Sequence, residues 1–150
     1  MAGEQRSVSP RHVGLSIDPS REPGRGLVLS LGASRHEFLG PEDQSNRYLL
    51  DEWVTQLERL LSGGGTVMLP FNFSDECTGW LRVTSHDAFV AEVQAGWSGL
   101  GQYSFVAAEF AAVGAALTDF EPILNARIER RLQEIITAVE MCRDRFPGPA

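Results

Sequence analysis

At 150 residues, with 43% hydrophobic and 22% charged residues, the chain has the size and balance of one globular domain that buries its core without staples. Its formal charge of -7 argues against a general nucleic-acid binder, which needs a concentrated basic surface, and makes any charged partner a basic one. All 13 basic residues are arginine, which excludes a Schiff-base or phosphate-loop lysine, and no window approaches the roughly 18 apolar residues that cross a bilayer.

Residues 1–25, rich in Pro, Gly, Ser and Arg, are expected to form a flexible or loosely attached arm. Within it Val13, Leu15 and Ile17 alternate as in a short edge strand. The opening MAGEQRSVSPRH lacks the apolar run of a signal peptide, so a cytoplasmic location is expected and Cys77 and Cys142 are expected to be thiols. The run 26–31 (GLVLSL) reads as a strand covered on both faces, and residues 32–42 as a loop. A helix over about 45–62 follows, starting near Asp43 or Ser45 as N-cap. Its apolar stripe is Leu49, Leu50, Trp53, Val54, Leu57, Leu60 and Leu61, which leaves Asp51, Glu52, Gln56, Glu58 and Arg59 on other faces. Gly63 closes it in the C′ position that accepts a left-handed backbone. A strand at 66–71 completes a strand–helix–strand order that suggests a crossover, with 26–31 and 66–71 parallel.

The stretch 71–97 (FNFSDECTGWLRVTSHDAFVAEVQAGW) holds most of the strand signal. From Thr78 to Thr84, Gly79, Leu81 and Val83 face one way, and Thr78, Trp80, Arg82 and Thr84 the other. In the next strand Phe89, Ala91, Val93, Ala95 and Trp97 share a face. A three-residue loop, Ser85 to Asp87, pairs Val83 with Phe89 and Leu81 with Ala91, so the apolar sets agree. The second face then carries Trp80 opposite Glu92, Arg82 opposite Val90 and Thr78 opposite Gln94. Two readings of that face stand: an exposed recognition surface of Trp80, Arg82, Glu92 and Gln94, or Trp80 packed beneath a helix or the N-terminal arm with Arg82 and Glu92 as a surface ion pair.

Residues 102–106 (QYSFV) suit another strand, 107–117 a short helix and 125–144 a long one with the stripe Ile128, Leu132, Ile135, Ile136, Val139 and Cys142. The expected fold is α+β: a mixed, mainly antiparallel sheet of four to five strands with a meander around 66–106, two long amphipathic helices and one shorter. The globular domain should occupy 26–146, with a tail at 147–150.

Chemistry is sparse. Asp75 and Glu76 beside Cys77 could tune a nucleophile, but adjacent side chains on a strand diverge and His86 lies at the far end of the strand. His36 with Glu37 reads as a solvated loop pair. The histidines and cysteines lack zinc spacing, and Gly63, Gly64 and Gly65 follow a helix where a phosphate cradle would precede one. No cofactor or metal is expected. The profile is similar to that of immunity proteins, adaptors and accessory subunits: a small acidic domain that binds another protein without catalysis, with a homodimer also compatible. The alternative is an enzyme or small-ligand binder using Asp75 and Glu76 with His36 or Tyr103 across a pocket.

Overall fold

The computed structural model describes residues 15–19, 27–31, 34–38, 43–73, 78–99 and 110–145. They form an α+β fold of two antiparallel sheets and three helices. β1 (Leu15–Pro19), β2 (Leu27–Leu31) and β3 (Ser34–Phe38) make a three-stranded sheet with β2 central. The alternation of Leu15 and Ile17 does mark an edge strand. The expected loop at 32–42 is corrected by β3: SRHEF has no apolar alternation of its own, and its pairing, Leu29 opposite His36, comes from the strongly apolar β2 beside it.

Helix α1 (Asp43–Leu60) buries Leu49, Leu50, Trp53, Val54, Leu57 and Leu60. Two assignments in this helix change. Leu61 lies beyond its end and is exposed, whereas Gln56 is only 6% exposed. The helix closes through the Gly64 N–H bonded to the Leu60 carbonyl at 2.9 Å. Gly63, Gly64 and Gly65 all have positive φ, and a Cβ on Gly64 would sit 2.4 Å from the Ser85 carbonyl oxygen. The glycines are therefore a left-handed exit packed against a turn.

β4 (Gly65–Phe73), β5 (Thr78–Ser85), β6 (Val90–Ser98) and β7 (Glu121–Arg131) form a four-stranded sheet in that order, antiparallel throughout. The expected parallel pairing of 26–31 with 66–71 is overturned, because β2 and β4 belong to different sheets. The crossover rule governs strands of one sheet, and β2 is already paired on both sides by β1 and β3. The strand expected at 102–106 lies outside the described residues. Helix α2 (Phe110–Ala115) precedes β7, and α3 (Leu132–Arg143) follows it directly.

β7 corrects the helix expected over 125–144. Ile128 and Leu132 are four apart and both buried, so a helical stripe extends backwards through them. Ala126 and Ile128 are two apart and also buried, and Ile128 pairs with Val93; the edge of β6 imposes the strand period. At the junction Arg131 is still extended, with φ -63° and ψ 135°. The first amide of α3, Leu132 N–H, donates to the Phe89 carbonyl at 2.8 Å.

The first face of the sheet, with Leu69, Leu81, Val83, Val93, Ala95 and Ile128, joins the stripes of α1 and α3 in one core. Arg143 in the last turn of α3 bonds Asp51 of α1 at 3.0 Å, and Arg47 reaches the Arg143 carbonyl at 3.2 Å. The Asp144 and Asp51 carboxylates raise the Arg143 pKa above its ordinary value. β4 carries a bulge between Pro70 and Asn72. Its extra residue, Phe71, is fully buried beside Trp97, and the Trp53 indole N–H donates to the Pro70 carbonyl at 3.0 Å. An indole thus bonds a main-chain acceptor at the bulge.

Candidate functional site

The second face of the sheet carries the residues that sequence patterning brings together, in a different register. Between β5 and β6 the turn has four residues, His86 to Phe89, so Val83 faces Val93 and Leu81 faces Ala95. The turn is set by side chains. Ser85 Oγ donates to the Val90 carbonyl at 2.7 Å and accepts from the Ala88 N–H at 3.0 Å. The Asp87 carboxylate accepts from the Phe89 and Val90 amides at 2.9 and 3.0 Å. Ala88 takes the left-handed conformation. The Val90 amide first, then that of Phe89, holds the Asp87 carboxyl below its usual range.

Because the slip from the expected register is an even number of residues, each side chain keeps its face while its partner changes. Trp80 lies opposite Gly96, Arg82 opposite Gln94 and Thr84 opposite Glu92, with Thr78 opposite Ser98. Trp80 has no accessible surface and donates its indole N–H to Thr78 Oγ1 at 2.7 Å. It lies under α2, where a Cβ on Gly114 would come within 2.7 Å of Met68 Cβ and 3.2 Å of Trp80 Cζ3. A fully exposed strand face including Trp80 is therefore corrected: only a glycine lets the short helix settle this close, and the large indole fills the gap it covers.

Beside it, the Phe120 ring covers Gly96, where a Cβ would meet the ring at 2.5 Å, and the Arg82 guanidinium stacks 4.7 Å from the ring centroid. The Asp119 carboxylate holds this segment in place. It accepts from Ser98 Oγ at 2.5 Å and from the Gly99 N–H at 2.9 Å. The Ser98 hydroxyl and then the Gly99 amide lower the Asp119 carboxyl below its ordinary range. Gln94, also buried, donates its amide to the carbonyls of Ala95, Ile123 and Ala126 at 2.8, 3.1 and 3.2 Å. It closes the bulge in β7 between Pro122 and Arg127, where Asn125 is left-handed. Glu92 pairs with Arg127 and not with Arg82.

The remaining part of this face is open. Thr66 and Thr84 share a hydroxyl hydrogen bond at 3.1 Å, and Glu92 pairs across the ladder with Glu129. A shallow depression of about 210 Å³ lies among Thr84, His86, Asp87, Val90, Glu92 and Glu129. At its rim Phe89 is 57% exposed and Val90 39%, and the Arg131 guanidinium lies 5.3 Å from the Phe89 ring centroid. Phe89, Asp87 and Glu129 were not singled out from sequence. The signal lay in the Ser85, Asp87 pair, whose side chains lengthen the turn and leave Phe89 outside the strand.

Of the alternative ligand pocket, His36 lies on β3 opposite Leu29, and Asp75, Glu76 and Tyr103 lie outside the described residues, as does Cys77 of the discounted thiol reading. Among the described residues no group of three His, Cys, Asp or Glu could hold a metal, and no helix is long and apolar enough to cross a membrane. No family model, curated protein or solved structure matches the chain. What defines it is its own geometry, an α+β domain whose main sheet has one face under two helices and the other half roofed.

Proposed function

We propose that the chain is a small acidic, non-catalytic protein-binding domain, of the immunity, adaptor or accessory-subunit kind. It recognises a basic partner through the open half of the second sheet face. The observation that carries this reading is the exposed pair Phe89 and Val90 beside the carboxylates of Asp87, Glu92 and Glu129. An exposed aromatic steadied by a guanidinium supplies rigid apolar contact area at little entropic cost. The surrounding carboxylates favour encounter with a cationic surface, in keeping with the net charge of -7. Trp80 and Gln94 lie buried in the rows beside this surface, while Glu92 belongs to it directly.

The test is capture of binding proteins from the native host with the full chain as bait, beside a Phe89→Ala/Glu129→Arg variant and a Met141→Glu control on α3, where Met141 is 65% exposed. A basic protein should be retained by the wild type and the control and lost by the double variant. Retention by the double variant would exclude this face.

A further inference from the structure

We infer that a second depression, at the edge of β4 and meeting the open sheet face only at Thr66, binds a small carboxylic acid with a short apolar body. It has a volume of about 280 Å³ and lies between the end of α1, the glycine exit, β4 and the end of α2. That volume is close to the lower end of the roughly 300–1,000 Å³ typical of ligand pockets. Leu60, Val67, Met68 and Ala115 give it aliphatic walls, and Gln56 and Arg59 give it polar groups. The two polar residues are three apart on α1, which places them on neighbouring positions of one helix surface.

Gln56 is the observation that points to a ligand. The residue is 6% exposed, yet among the described residues its side-chain amide makes no hydrogen bond. A buried primary amide carries two donors and an acceptor, and leaving them unmade opposes burial. Its neighbours on the same seam, Leu49, Trp53 and Leu60, are ordinary core residues, so an apolar side chain would fit the helix better. Arg59 likewise has no ion pair among the described residues.

A carboxylate satisfies both groups together. Its oxygens accept from the guanidinium and from the amide N–H, and its hydrocarbon part takes up the aliphatic wall. A phosphate fits less well, because the lining offers it a single cation in a chain of charge -7. Leu60 and Gly65 belong to the core stripe and the helix exit, so the pocket is assembled by the fold itself.

Backbone-amide NMR of the full chain, titrated with butyrate, tests the assignment, with butyramide and inorganic phosphate as controls. Butyrate should give saturable shifts at Gly64, Gly65, Thr66 and Ala115 with a roughly millimolar dissociation constant. Arg59→Gln and Gln56→Met should each weaken it about tenfold or more, and neither control should compete. Gln56→Met should also keep or raise the unfolding midpoint, since it removes a buried amide without removing volume. No saturable shift, equal binding of phosphate, undiminished binding in Gln56→Met, or a lowered midpoint in that variant would each overturn the proposal. Arg59 is exposed, so Arg59→Gln reports on binding independently of folding.

Discussion

Two rows of the second sheet face, separated by the row of Met68, Arg82, Gln94 and Arg127, differ in what lies above them. The row of Pro70, Trp80 and Gly96 is closed by α2 and Phe120, while the row of Thr66, Thr84, Glu92 and Glu129 lies open. Both rows come from the same four strands with the same alternation. Gly114 and Gly96 admit a helix and a ring onto the closed row, and the open row contains no glycine. The closed row holds the larger aromatic residue, and the open row holds the carboxylates. Residue type alone therefore misplaces the accessible surface, since tryptophan is an interface hot spot only where a partner can reach it and Trp80 is buried.

The largest expected effect separates these rows by stability. Trp80→Ala should cost about 3–5 kcal/mol as a buried aromatic truncation, whereas Phe89→Ala should stay within about 0.5 kcal/mol as a surface change. Urea unfolding of both variants measures this, and equal losses would erase the distinction. A smaller effect sharpens it at the roof's latch. The Asp119 carboxyl is lowered in the folded chain by Ser98 and Gly99, so the folded state binds its proton less readily than the unfolded state. Its stabilisation is present above the unfolded carboxylate pKa of about 3.9 and is lost as pH falls through the lower folded value. Thermal midpoints from about pH 6 down to pH 2 should fall less steeply in Asp119→Asn than in the wild type. Identical slopes would detach Asp119 from the roof.

Much of this arrangement is legible in the sequence, and the part that is not has identifiable causes. Alternation along 78–84 and 90–98 assigns every side chain to its face, and an even slip in register leaves that assignment intact. The partners across the ladder were not legible, because turn length depends on the Ser85 and Asp87 side chains bonding to the backbone of Ala88, Phe89 and Val90. β7 was hidden by Ile128 and Leu132, whose spacing fits a helix as well as a strand that runs into one. Whether a face is covered is a tertiary property, and Gly114 carries no apolar signal to announce the packing it allows. Gln56 was set aside as polar although Leu49, Trp53, Gln56 and Leu60 follow the 4, 3, 4 spacing of a single buried seam.

Hydrogen exchange of the full chain, alone and with the basic partner proposed above, tests the division of this sheet face most directly. Added protection should fall on 84–92 and 127–131, with the amides of α2 and of residues 117–120 unchanged. Protection confined to α1 and α3, or faster exchange in α2 and 117–120 as the roof lifts from Trp80, would contradict the account.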